Sequence, residues 1–536
     1  MELSRAARIL LDMSLEIAIV GGGATALYCL KHLFTQGAFS SPIAVTLFES
    51  GLHFGKGMPY DEALNADYML CNAFSREIPP VTETLLQYLK GLPPRELTAW
   101  ELSEHDLSAR AFYPRVLIGE YLHSEFERLC NAAEQLGHRV TLKPDTRVTD
   151  VLNRAQGATV VSDAGDAWTF DKIILATGHV WPRQPTIGQA KLLSPWPYTN
   201  ITSLPATNIG ILGSSLSAID IAMALAFTHG TFEEQDGALS WRGNADAADL
   251  KITMISKMGV MPEGDFYYPF PYQPLKILSP EAVAAEVRRG GDGLLERLFR
   301  LLHEELKASD PDYIASLGAS AGTLEGFSTA YFKARRELGG LDAVKRDFRK
   351  TRASMRERRT IPYRYALLRA HENFDLALRA LTPRDWDRFQ SSLLPVFTDC
   401  YAAVPHLSLA RIIALHDAGV LEIRESGDDA EFRTSAQGGI TVAAGDDTFH
   451  FDAMIDARGQ APAALAKLPF PGLVRSLKDD TAPLAEPFRL ELSTGPSNVY
   501  CLSMPQLLER HPFSQGLAEA EKHARVVVGD IASSDV

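Results

Sequence analysis

Leu15–Ala26 reads LEIAIVGGGATA, and this stretch decides the fold. Leu15–Val20 is a short apolar run with β-branched residues, the glycines follow at once, and a helix-like segment continues through Leu33. Strand, glycine turn and helix in that order form the start of a dinucleotide-binding unit. In such a turn Gly21 permits the tight bend, Gly23 lets the backbone approach a pyrophosphate, and Ala26 allows the helix to pack close to the sheet. The helix N-terminus then faces the phosphates. A second apolar run, Ile43–Phe48, ends in Glu49, 23 residues beyond Ala26. An acid at the tip of the second strand can accept hydrogen bonds from a ribose hydroxyl.

The pattern recurs downstream. Asn208–Leu212 reads as a strand, Gly213–Ala218 (GSSLSA) as its turn, Ala218–Phe227 as a helix and Lys251–Ser256 as the next strand. Ser215 stands where the second glycine is expected, and its hydroxyl can donate to a phosphate instead. Ser256 and Lys257, at and just past the strand tip, sit where a 2′-phosphate is recognised, which favours NADPH over NADH. Two further segments match each other: Asp171–Gly178 is DKIILATG and Asp452–Gly459 is DAMIDARG. Paired in this way, they predict that the chain leaves one nucleotide domain once and returns once.

Between these units glycines thin out and helical periodicity takes over. Leu294, Leu295, Leu298, Leu301, Leu302 and Leu306 approximate one apolar helix face. The predicted organisation is α/β, with two Rossmann-like dinucleotide-binding domains, the NAD(P) domain interrupting the FAD domain and a helical insertion added. The expected spans are 1–200 for the first part of the FAD domain and 201–279 for the first part of the NAD(P) domain. Residues 280–395 form the insertion, 396–460 complete the NAD(P) domain and 461–536 return to the FAD domain. Residues 1–14 read as an extension with little structural role.

Composition narrows the function. The 536 residues are 46% hydrophobic and 22% charged, as in an ordinary globular protein. Fifty-three Lys and Arg against 67 Asp and Glu leave −14, which disfavours nucleic-acid or anionic-membrane partners. Within that balance Lys345–Arg369 carries ten Lys and Arg against Asp347 and Glu357, so +8 lies in this segment and −22 elsewhere. A solvated helix paired to the acidic body is the expectation for it. The five cysteines are widely spaced without a CxxC pair, which fits a reducing cytoplasm and excludes a disulfide scaffold, a thiolate zinc site and a dithiol reductase. No metal site, signal peptide or membrane span is expected. The aromatic segment Gly264–Leu278 reads either as a substrate-lining loop or as a rigid loop packed on the insertion.

As a set, further motifs resemble the bacterial FAD/NAD(P)-binding proteins of the YdhS type. They are Gly55–Tyr60 (GKGMPY), Tyr113-Pro114-Arg115 with Gly119-Glu120-Tyr121, Ala176–Pro182 (ATGHVWP), Asp220 after the Ser-rich turn, and Asp456–Gln460 (DARGQ). The resemblance runs from about Leu15 to Leu517, and the family is similar to flavin-containing and N-hydroxylating monooxygenases. It implies that Gly21, Gly23 and Glu49 hold the ADP part of FAD, with Arg115 and Thr177-Gly178 near the cofactor. Gly213, Ser215 and Ala218 would face NAD(P)H, and Gln515-Gly516-Leu517 would bring helix-end amides to the flavin ring. One departure matters: where Baeyer–Villiger enzymes have FxGxxxHxxxWP, Thr186–Pro197 reads TIGQAKLLSPWP, with Thr186 and Leu192 replacing the aromatic residue and the histidine.

The function expected is that of an FAD-dependent oxidoreductase using NADPH, with NADH as the alternative. A monooxygenase acting on a small nitrogen-rich or aromatic substrate comes first. A dehydrogenase or reductase that passes electrons to an organic acceptor, and a flavin-binding sensor or interaction protein, stay open. The sequence identifies no catalytic side chain.

Overall fold

In the computed structural model, residues 14–35, 39, 41–154, 157–435, 438–493, 495 and 497–534 are described. The segment 1–13, read above as an extension, lies outside them. The chain forms two units, one from the residues up to Val180 and from Gln460 onward, the other Trp181–Gly459.

Along the chain the first unit supplies β1 (Glu16–Val20), α1 (Ala24–Thr35), β2 (Ala44–Phe48), α2 (Arg115–Gln135), β3 (Arg139–Lys143) and β4 (Lys172–Leu175). The second supplies β5 (Asn208–Leu212), α3 (Leu216–His229), β6 (Lys251–Ser256), α4 (Gly340–Glu357), β7 (Leu421–Glu425) and β8 (Ala453–Asp456). The chain then returns to the first unit with β9 (Val499–Cys501) and α5 (Leu517–Ser533).

Both sheets are parallel. The first runs β3-β2-β1-β4-β9 and the second β7-β6-β5-β8, so both share the 3-2-1-4 order of a Rossmann-type unit. Central strands are covered on both faces and therefore read as continuous apolar runs: Ile17, Ala18 and Ile19 are fully buried. In the first unit α5 packs along α1, and Val527, Val528 and Ile531 join Leu27, Leu30 and Leu33 in one core.

The duplication goes further than the two matching segments predict. Each unit carries a three-stranded antiparallel meander just before its fourth strand: Val148–Asn153, Ala158–Ser162 and Ala167–Phe170 in one, Glu431–Thr434, Ile440–Ala444 and Asp447–Phe451 in the other. The aspartates that open the matching segments have the same task. Asp171 accepts the Glu16 N–H at 2.8 Å and Asp452 the Asn208 N–H at 3.0 Å, pinning the first residue of each central strand.

Residues 181–200, expected with the first unit, belong to the second. Thr186–Ile187 pairs with Ala190–Lys191, Leu193 bridges to Ile455, and Leu192 is buried with Phe432 and Val442. Burial in that core is the physical reason why the boundary falls at the turn after Gly178 and not at 200. Leu192, at the position of the oxygenase histidine, is therefore a packing residue. The helical region runs from Pro280–Arg288 to Leu393–Tyr401, six residues past the expected 395, and Leu294, Leu295, Leu298, Leu302 and Leu306 form its buried face.

Candidate functional site

In the first unit the turn after β1 meets the turn after β4 at the carboxyl edge of the sheet, the switch point where open α/β sheets bind ligands. Gly21 has φ +103°, and a β-carbon there would lie 2.3 Å from the Ala176 carbonyl oxygen. No other residue fits both conditions. Gly23 is constrained differently from the expectation: its Cβ position is filled by Gly57 of the GKGMPY motif, whose Cα would be 3.1 Å away. Gly55 N–H donates to the Gly22 carbonyl at 2.7 Å, so this loop lies directly on the glycine turn. The first N–H groups of α1 lack intrahelical partners by geometry, which leaves an anion-binding edge beside that loop.

Lys56, 3% exposed, explains how the loop is held. Its ammonium lies 2.7 Å from both Glu62 and Glu120. Burial works against that charge, but the hydrogen bonds to Glu120 and Glu62 outweigh it and keep the lysine pKa above its ordinary value. The neighbouring Gly119 admits the backbone of Tyr60, since a β-carbon there would be 2.1 Å from the Tyr60 carbonyl oxygen. Thus two motifs 60 residues apart in the chain interlock. Both motifs are visible in the sequence but their pairing is not, because nothing in composition or spacing says that Lys56 meets a carboxylate 64 positions away.

Glu49 stands at the tip of β2 as expected. Its carboxylate accepts from Gly22 N–H (2.7 Å), Gly51 N–H (2.8 Å) and Ser50 Oγ (3.1 Å). A carboxylate has about four acceptor positions, so one remains for a ribose hydroxyl. Arg115 begins α2; its N–H donates to the Met69 carbonyl at 2.9 Å and its Nε to that of Leu70 at 3.3 Å. Thr177 Oγ1 lies 2.7 Å from Ser503 Oγ, and Met504 N–H donates to the Gly178 carbonyl at 3.1 Å. The Ser503–Gln515 segment is therefore anchored to the edge that holds Gly21. Glu509 on this segment has a buried Oε2 with no hydrogen-bond partner among the described residues, and burial raises its pKa. Gln515 and Gly516 are exposed at the start of α5, whereas Leu517 is buried. His179, beside Gly178, has its pKa lowered by burial, so it is neutral at pH 7.

The second unit repeats the edge. Gly213 has φ +127°, and its Cβ would lie 2.8 Å from the Ala457 carbonyl oxygen, Ala457 being the counterpart of Ala176. Ala218, in the first turn of α3, is fully buried. Ser215 precedes α3 without capping it, and its hydroxyl has no partner among the described residues. Ser256 Oγ is engaged at 2.8 Å by Ser214. Lys257 pairs with Asp428, both about two-thirds exposed. Asp456 and Arg458 form a two-pronged pair at 2.8 Å, with Arg458 also donating to the Thr186 carbonyl.

The remaining features make packing and ion-pair contacts. Phe266 and Tyr268 of the aromatic segment are buried, and the Gly264 and Tyr267 N–H groups donate to Asp347 (2.6 Å) and Ser354 (3.0 Å) of α4. In the basic stretch Arg364 is buried beside Glu263 (3.2 Å) and Asp347 (3.4 Å), and Lys345 pairs with Asp417 at 2.6 Å. Cys29, Cys71, Cys130, Cys400 and Cys501 are all free thiols, and burial pushes Cys29, Cys130 and Cys400 up to about 12, so these three carry no thiolate at neutral pH. Among the described residues no helix is long and apolar enough to cross a membrane.

Residues 18–180 match the family described as FAD-NAD(P)-binding, and residues 279–401 match the YdhS-like middle domain. Among solved structures, ornithine N-hydroxylase of Kutzneria sp. 744 is similar over 98% of this chain and 100% of its own, at 13% identity and TM-score 0.49. Bacillithiol disulfide reductase of Staphylococcus aureus is similar over 97% and 99%, at 10% identity and TM-score 0.44. The Escherichia coli (strain K12) protein YdhS is 36% identical over 524 residues, covering 96% of this chain and 97% of the relative. With that identity along nearly its whole length, the chain belongs to the YdhS family.

Proposed function

We propose that the chain is an FAD-dependent oxidoreductase that draws electrons from NAD(P)H, with the FAD on the first unit and the nicotinamide nucleotide on the second. The observation that carries this reading is the duplicated edge: one positive-φ glycine turn per unit, each closed against the alanine that follows the fourth strand. In the first unit a Cβ-free turn beside the helix N–H groups fits a pyrophosphate; in the second Gly213 alone lacks a side chain, and the Ser215 hydroxyl stands beside the helix N–H groups. In the first, Gly21, Gly23 and Glu49 would hold the adenosine diphosphate part, with Thr177-Gly178 and the Gln515–Leu517 helix start on the same unit. In the second, Gly213, Ser215 and Ala218 would face the nicotinamide nucleotide, with Ser256 and Lys257 beside the ribose of its adenosine.

Bound flavin supplies hydride acceptance and electron transfer onward; the chain binds, orients and excludes water. The three thiols held as neutral groups by burial make a cysteine-based relay the weaker alternative. We favour a monooxygenase acting on a small nitrogen-rich or aromatic substrate, on family resemblance. The test is the visible spectrum of the isolated protein, followed by anaerobic addition of NADPH and NADH and then oxygen. Bleaching by nicotinamide with rapid recolouring by oxygen supports the oxygenase. Bleaching that persists in oxygen supports the dehydrogenase, and a coloured protein that neither nucleotide bleaches supports the sensor. A colourless protein that takes up no FAD would sink all three.

A further inference from the structure

The helical region of the second unit grips the loop that follows β6, and that loop grips the second glycine turn. Ser214, the middle residue of the turn, is buried; its Oγ hydrogen-bonds to Ser256 Oγ at 2.8 Å and donates to the Val260 carbonyl at 2.5 Å. The next carbonyl, that of Met261, accepts from Arg335 Nη1 at 3.3 Å. Arg335 is fixed in turn by Asp399, at 3.1 Å and 2.7 Å, and Asp399 also accepts from the Tyr331 hydroxyl at 2.7 Å. Three residues further on, Arg364 donates to the Gly264 carbonyl at 2.7 Å while Asp347 accepts the Gly264 N–H.

Arg335 and Asp399 are 7% and 8% exposed. A buried ion pair is a poor source of stability, because well-packed apolar side chains of similar volume generally do as well. What such a pair adds is direction. A forked guanidinium holds one carbonyl at one place, and here that carbonyl adjoins the one that takes the Ser214 proton.

We infer that Arg335 and Asp399 are positioning residues for the nicotinamide nucleotide: through Met261, Val260 and Ser214 they set the backbone of the second turn. The inference rests on the reading of that turn as the nicotinamide site. It gives the helical region a role in cofactor binding and predicts that its loss is felt at the second unit and not at the first.

The experiment uses the FAD-loaded protein with NADP+ and NAD+ as probes, so that binding is measured by calorimetry without turnover. Ser214→Ala removes the hydroxyl alone, and the paired replacement Arg335→Met/Asp399→Leu removes the grip while refilling the space. Each should weaken dinucleotide binding about tenfold, the value of one good hydrogen bond, with FAD content unchanged. Together they should weaken it by about tenfold in total and not a hundredfold, because both act on one relay. Hydrogen exchange at residues 215–218 should quicken in both variants. Unchanged binding, or full additivity, would overturn the relay. If the unaltered protein binds neither dinucleotide, the functional reading fails, and exchange at residues 215–218 still decides the relay: rates equal to those of the unaltered protein overturn it.

Discussion

The two glycine turns share one backbone plan and differ in what covers them. Over the first lies a backbone: Gly57 occupies the space that a side chain at Gly23 would need, and Lys56 clamps that loop through Glu62 and Glu120. Over the second the covering loop is held one position before Ser215, by the Ser214 hydroxyl on Val260. The middle residue of each turn also touches the tip of the second strand, Gly22 through its N–H to Glu49 and Ser214 through its hydroxyl to Ser256. A glycine at the third position of the turn is thus a consequence of the neighbouring loop as much as of the phosphate. Where the loop is tied by a side chain, serine is tolerated there.

The strongest way to break this comparison is at the positions the turns share. Gly21→Ala and Gly213→Ala each meet a carbonyl oxygen within 2.8 Å at a positive φ. Backbone strain alone costs about 1–3 kcal/mol. Gly21→Ala should lose FAD on gel filtration, while Gly213→Ala keeps it and is no longer reduced by NADPH. Equal flavin loss in both would show that the turns do not serve separate cofactors.

The third turn position sharpens the contrast. Gly23→Ala places a methyl against Gly57 and should lower FAD affinity about tenfold or more, read by equilibrium dialysis. Ser215→Ala removes at most one phosphate hydrogen bond and should raise the NADPH dissociation constant by about threefold to tenfold. A larger loss at Ser215 than at Gly23 would reverse the account of what glycine is for.

Much of this was legible in the sequence and some was not. The strands, both turns and the in-and-out path follow from apolar runs ending in glycine, since a strand buried on both faces needs an unbroken run. The second meander, the Lys56–Glu120 lock and the Arg335–Asp399 grip were not legible. The lock and the grip join residues 64 to 74 positions apart, and neither periodicity nor composition says which groups meet across such distances. The end of the first unit was misread by 20 residues because the apolar Ala190–Leu193 stretch carries no sign of the core it fills.

The clamps also predict opposite pH responses. Burial, with the adjacent Glu263 charge, pushes Asp347 up to about 7, so its contribution is complete below the ordinary carboxylate range and is lost as pH rises through 7. For Glu62 burial raises the pKa but the Lys56 hydrogen bond lowers it further, so its contribution is present above the ordinary range and is lost as pH falls below it. Protection from hydrogen exchange, relative to the intrinsic rate at each pH, should therefore fall around Gly264 between pH 6 and 8, and around Gly55 only in acid. Asp347→Asn should flatten the first response and leave the second.

The smallest effect is expected at the surface pair. Lys257 and Asp428 are both exposed, and such pairs contribute about 0–1 kcal/mol. Lys257→Glu should weaken NADPH more than NADH, and Asp428→Asn should favour NADPH by freeing the lysine for a 2′-phosphate. Equal effects on the two dinucleotides would remove these residues from phosphate recognition.

The central claim, that the two turns hold different cofactors, is tested most directly by native mass spectrometry of the isolated protein before and after addition of NADP+. One FAD per chain, followed by one further dinucleotide that Gly213→Ala fails to take up, is the predicted result. Two FAD molecules per chain, or a dinucleotide that displaces FAD instead of adding to it, would contradict it.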